Sequence, residues 1–402
     1  MIENGIDAFD TASGSCKPRV TDYAVPAVVI LGGLNGLGVV RSLARGDVRS
    51  HVVDRGRFSP AMWSRRVKQV LAPTLQGREF VDLLLDRYGE RAERPVLFNT
   101  HEMSVLTISE HRNKLQSAFR FRMPPHDMVL ALQDKARFHE LAIARGLPVP
   151  RSEIIDAASE IAGKLRRLRL PIVVKPADKA TVHTGLASGV TVFARFEDAV
   201  AGCEKMLESA GELIAQEWVD GANNEIYFCL FYRGRGGRIV SMFTGRKLAS
   251  IPPGVGLTAY CTAAPEACRT LEPLTEAFLE RVDYAGMGSV EYKWDKTSGR
   301  FAIIEPTVGR SDWQEEIATL CGANIPLDAY RHEMDLPADR AEAPRKTVVW
   351  RSSIFERVRT ERPAFPPDAQ IYDGYWRADD PLPAFIHYSY GALTAAVRRL
   401  AK

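Results

Sequence analysis

Residues 288–310 read GSVEYKWDKTSGRFAIIEPTVGR, and the reading of the whole chain turns on this stretch. Val290, Tyr292 and Trp294 alternate with Glu291 and Lys293, the two-residue period of a strand. Residues 301–304 form a second apolar run. Thr297-Ser298-Gly299 between them suits a three-residue hairpin loop with glycine in the left-handed position. That register sets Glu291 directly opposite Glu305, with Cβ atoms roughly 5 Å apart on one face. Facing carboxylates repel, so the pairing calls for a physical reason. A divalent cation between them is one, because hard cations take carboxylate oxygens. A solvated sheet face with both charges in water is the other, and the pattern alone does not choose.

Glu291, the hairpin, Glu305 and Arg310 together resemble the metal-binding end of the ATP-grasp ligases. That family usually ends the motif Glu-x-Asn-x-Arg. This chain has Glu305-Pro306-Thr307-Val308-Gly309-Arg310. Thr307 stands where asparagine is expected, and the arginine comes one residue late. The resemblance implies Glu291, Glu305 and Thr307 as metal ligands, the hydroxyl being a weaker donor than an amide oxygen.

Working outward, the 402 residues suffice for two or three domains with separate cores. An apolar share of 46% with 26% charged residues is that of an ordinary globular chain. The net charge of +3 singles out no polyanionic partner, so nucleic acid is not expected. No apolar run is long enough to span a bilayer, and no membrane partner is expected. Glu3, Asp7 and Asp10 argue against a signal peptide. The cysteines form no C-x-x-C pair, which leaves reduced thiols in a cytoplasmic protein as the expectation.

Upstream, Val28-Val29-Ile30-Leu31, a glycine turn (Gly32, Gly36, Gly38), a helix from about Leu37 to Ala44 and His51-Val52-Val53-Asp54 read as a βαβ unit. The glycine spacing also matches short-chain dehydrogenases, with Asp54 placed to hold a ribose. That reading makes an NAD(P)-dependent oxidoreductase the rival, although the chain has no Tyr-x-x-x-Lys pair. His101 and Glu102, after a strand at residues 96–98, are candidates for substrate contact. Lys175 ends the apolar strand 170–174, an unusual place for a lysine unless something anionic meets it. The loop to Gly189 offers backbone N–H groups of the kind that cradle phosphate.

The resemblance extends through these segments, from about residue 135 to 334. It implies Lys135 and Lys175 as nucleotide-binding lysines and residues 177–189 as a phosphate-covering flap. It makes Gln216-Glu217-Trp218-Val219 the hinge between two lobes, where the backbone of Glu217 and Val219 would read the adenine edge. Asn223 and Glu225 would lie by the ribose. Arg246, Lys247 or Arg310 would stabilise charge on the transferred phosphoryl group. Gly245-Arg246-Lys247 followed by Pro252-Pro253-Gly254 resembles the subgroup of D-aspartate and D-alanine–D-alanine ligases.

The expectation is an α/β (α+β) chain: an ATP-grasp fold with an N-terminal Rossmann-like domain. Its parts are a leader at 1–22, the Rossmann-like domain at 23–125 and the ATP-grasp domain at 126–340. The small flap lobe lies at about 147–217, and a C-terminal extension at 341–402 packs on the ligase body. The implied activity is ADP-forming ligation of a small carboxylate to an amine, amino-acid or peptide-like, through an acyl phosphate. ATP and Mg²⁺ are required, and a homodimer is compatible with the sequence. A nucleotide-binding module without ligase activity is the second alternative.

Overall fold

The computed structural model describes residues 25–177, 190–221, 225–252, 256–338, 347–353, 363–365 and 367–389. The leader, the flap loop 178–189, Asn223, residues 253–255 and the tail beyond 389 lie outside them. Three sheets organise the rest.

The first sheet contains β1 (Ala27–Ile30), β2 (Ser50–Asp54), β3 (Val67–Leu71) and β4 (Val96–Asn99) in the order β3-β2-β1-β4, all parallel. The helix Leu34–Ala44 starts three residues before the expected Leu37. The glycine turn is filled by its own backbone: a Cβ on Gly36 would lie 2.0 Å from Leu31 O. Asp54 closes the turn, its Oδ2 accepting Gly32 N–H (2.6 Å) and its Oδ1 accepting Gly56 N–H (2.8 Å). Both oxygens therefore serve the loop. Asn35, buried in the same turn, donates to Thr100 O and to Ser311 O, and Ser311 Oγ donates back to Asn35 Oδ1.

The second sheet contains β5 (Ser152–Ile155), β6 (Ile172–Pro176), β7 (Thr191–Phe193) and β8 (Leu213–Glu217) in the order β5-β8-β6-β7, antiparallel. The helix Phe196–Ala210 packs on it through Ala199, Cys203 and Met206. These residues, with Ile155, Ile172 and Leu213, form an apolar core separate from the rest.

The third sheet has seven strands: β9 (Ile226–Arg233), β10 (Ile239–Ile251), β11 (Leu257–Ala263), β12 (Gly286–Asp295), β13 (Arg300–Val308), β14 (Val348–Arg351) and β15 (Gln370–Asp373). Their order is β13-β12-β9-β10-β11-β14-β15, antiparallel except for the β14–β15 pair. The described part of the C-terminal region thus extends the sheet, and Trp350 is fully buried. β10 carries Gly245-Arg246-Lys247 inside the strand.

The decisive hairpin differs from expectation in detail. Four residues, 296–299, separate the strands, with Gly299 left-handed (φ 64°). Asp295 pairs with Arg300 and Tyr292 with Ile303, one step out of the expected register. A register shift at residue 304 restores the step, and Glu291 does face Glu305.

Candidate active site

A cleft of about 490 Å³ opens over the end of the hairpin. Glu291, Glu305 and Thr307 from the hairpin line it, with Lys247 from β10, Lys135 from the helix Lys135–Ala144 and Arg310 just after β13. The strand period explains the grouping. Glu291 pairs with Phe228, and Phe228 pairs with Gly245, so all three share a face. Lys247, two residues beyond Gly245, shares it too.

Arg246 does not join this group. Adjacent residues on a strand point to opposite faces, and Arg246 pairs instead with Glu266, at 3.6 Å. Of the three residues named for the transferred phosphoryl group, Lys247 and Arg310 line the cleft.

Lys247 Nζ lies 2.5 Å from Glu291 Oε2, and the lysine is 5% exposed. Burial pushes the Glu291 carboxyl above its usual range, Lys247 pulls it back, and the Glu305 and Asp312 charges push it up further. The repulsion expected from the register is therefore met by an ammonium. The counter-charge comes from a lysine on β10, to which the strand pattern around Glu291 gives no pointer. Two carboxylates and a hydroxyl form a donor set that fits a hard cation. Among the described residues, no three His, Cys, Asp or Glu side chains stand close enough to share one.

Arg310 Nη1 donates to Ser311 O, and Nη2 is 3.9 Å from Glu102 Oε2, which also lines the cleft. His101 Nδ1 lies 2.7 Å from Ser104 Oγ. Asp312 lines the same cleft and was not anticipated. Its Oδ2 accepts from Ser289 Oγ (2.6 Å) and Gln314 Nε2 (3.2 Å). The strand period that led to Glu305 and Thr307 ends at Gly309, so no periodicity reaches Asp312.

A smaller pocket adjoins Glu305, and Lys135, Lys175, His139 and Gln216 border it. Lys175 is 8% exposed. Burial, helped by the Lys175 charge, lowers the His139 pKa. Gln216 Nε2 donates to Ser152 Oγ (3.0 Å).

The Glu217 N–H donates to Arg151 O, and the Glu217 carboxylate is clamped by Arg169 N–H, Nε and Nη2. Its amide is thus engaged by the residue that precedes β5. Trp218 N–H donates to Pro171 O, and Lys293 Nζ sits 3.8 Å above the Trp218 ring centroid. Val219 is buried, and Glu225 pairs with Lys296 at 3.2 Å.

No protein-family model matches the chain. Its sequence is 22% identical to the D-aspartate ligase of Enterococcus faecium (strain Aus0004) over 316 residues, 74% of each chain. Its fold matches the N5-carboxyaminoimidazole synthetase of Staphylococcus aureus (TM-score 0.64, 14% identity, 82% of each chain). It also matches the biotin carboxylase domain of the Hydrogenobacter thermophilus 2-oxoglutarate carboxylase, solved with MgADP, ADP and bicarbonate. That match has a TM-score of 0.60 and 13% identity, covering 80% of this chain and 73% of the other. The chain has the ATP-grasp fold, and in sequence it is a distant homologue of a D-aspartate ligase.

Proposed function

We propose that the chain is an ADP-forming ligase that joins a carboxylate to an amine through an acyl phosphate. The observation that carries this reading is the pair of opposed glutamates, charge-balanced by a buried lysine, in a cleft that also holds Lys135 and Arg310. Glu291 and Glu305, with Thr307, would hold Mg²⁺, which when bound supplies charge neutralisation for the β- and γ-phosphates of ATP. Lys135 and Lys175 would hold the α- and β-phosphates. Lys247 and Arg310 would stabilise charge on the transferred group. Phosphoryl transfer asks mainly for positioning and charge neutralisation, and these residues offer both.

The likeness to D-aspartate ligase supports amino-acid or peptide-like substrates. The cytoplasm, where ATP is abundant, is the compartment that fits. Among the described residues, no helix is long and apolar enough to cross a membrane. The oxidoreductase alternative loses its footing because both Asp54 oxygens close the glycine turn.

A screen of carboxylate and amine pairs for ADP release tests the reading. ADP that appears only when both partners are added is the expected result. Mg-ATP binding without ADP release from any pair would reduce the chain to a nucleotide-binding module. Thermal stabilisation by NADH and none by Mg-ATP would overturn it.

A further inference from the structure

The acids of the cleft are not equivalent. Glu291 is paired with Lys247, and Glu102 faces Arg310. Among the described residues, no cation pairs with Asp312. Yet its carboxylate is firmly placed. Ser289 Oγ and Gln314 Nε2 hold Oδ2, and the Trp313 N–H donates to Oδ1 at 2.7 Å. Ser289 sits on β12 two residues before Glu291, so Asp312 is pinned to the strand that carries that glutamate. Gln314 is fixed in turn by Thr258 Oγ1 (3.1 Å).

Behind this wall lies Glu315, 1% exposed, whose Oε2 accepts the Asp312 N–H and whose Oε1 has no partner. Burial pushes its carboxyl up to about 8. Glu315 is thus held toward its neutral form directly behind Asp312. Asp312 does not complete a metal site, because no three described acids stand close enough to share an ion.

In the proposed ligation the nucleotide, the carboxylate and the acyl phosphate are all anionic. Of the two groups to be joined, the amine is the one that arrives as a cation. We infer that Asp312 binds the amine substrate as its ammonium and accepts a proton from it as the amide forms. The inference rests on the ligase reading. The ammonium first gives one proton to Asp312, and the lone pair so freed attacks the acyl carbon to form the C–N bond. The C–O bond to phosphorus breaks, and phosphate leaves with the electron pair. Of the two protons the nitrogen sheds, one goes to Asp312 and the other leaves on the phosphate.

The test compares two nucleophiles in the full chain, with Mg-ATP and the carboxylate that releases most ADP in the screen. One nucleophile is the screened amine. The other is hydroxylamine, which is uncharged at neutral pH and needs no ammonium site. In Asp312→Asn the ratio of amide rate to hydroxamate rate should fall by about 10²-fold, the scale of a lost general base. KM for the amine should rise at least about tenfold. An equal fall with both nucleophiles, or no fall with either, would overturn the assignment. If Asp312→Asn does not fold, Asp312→Ser is read in the same way. Absence of hydroxamate with the wild-type chain would instead refute the ligase reading, and this inference with it.

Discussion

Replacing Lys247 with methionine removes the ammonium 2.5 Å from Glu291 while keeping most of the side-chain volume. Taking one partner from a fully buried pair costs about 3–5 kcal/mol. Two features reduce that here. The Glu291 side chain is 25% exposed, so water offsets part of the loss. The carboxyl can also neutralise itself. Protonating a glutamate with an ordinary value of 4.5 at pH 7 costs about 1.36 kcal/mol per unit, or roughly 3.4 kcal/mol, which caps the effect. We expect a loss of about 2 kcal/mol. At roughly 2.1 cal/mol/K per residue the unfolding entropy is about 0.8 kcal/mol/K, so Tm should fall by ~2–3 °C at pH 7.

The pH dependence follows from the direction of the Glu291 shift. Its folded value lies above the unfolded one, and loss of Lys247 raises it further. The stability of the neutral form is fully present below the unfolded value and is lost as pH rises through the folded one. The deficit of Lys247→Met should therefore be largest at pH 7 and shrink as pH falls toward 4.5. Mg²⁺ alone should raise the Tm of the variant more than that of the wild type, because a cation binds a site that has lost its own. Differential scanning calorimetry at pH 5 and pH 7, with and without Mg²⁺, measures all of this. A deficit independent of both pH and Mg²⁺ would refute the reasoning.

Glu305→Gln should leave the protein without nucleotide as stable as wild type or slightly more so, since it relieves repulsion from Glu291. Its stabilisation by Mg-ATP should shrink, and an unaltered nucleotide-induced shift with full ADP formation would sink the metal-site assignment. Glu315→Gln should flatten the stability–pH profile. The wild-type Glu315 carboxyl, raised from 4.5 to about 8, costs the fold about 1.4 kcal/mol per pH unit across that window. Urea unfolding at pH 5 and pH 7.5 checks this, and an unchanged slope would show that Glu315 is not held neutral.

The sequence made the opposed glutamates legible, but through two errors that cancel. Loop length is poorly specified by composition, and Lys296 joined the turn instead of the strand. The shift at residue 304 then returned the register, a feature with no local signal in an apolar run. Nothing in the sequence separates Lys247 from Arg246, because both follow Gly245 in one short motif. In the fold that glycine makes room for the Phe228 ring, 2.4 Å from where a Cβ would lie, and the strand runs on. Asp312 was illegible because it sits beyond the last periodic residue. Its partner Ser289 lies 23 positions away.

The reciprocal bonds between Asn35 and Ser311 join positions 276 residues apart. A substitution at either one strands a buried amide or hydroxyl, at a cost of about 1–3 kcal/mol. A change at one position therefore calls for a compensating change at the other. A chimaera that takes its first sheet from a relative must bring a matching residue at 311. The glycine turn, which carries no dinucleotide in the proposed reaction, is then inherited as the counterpart of the segment that bears Arg310 and Asp312.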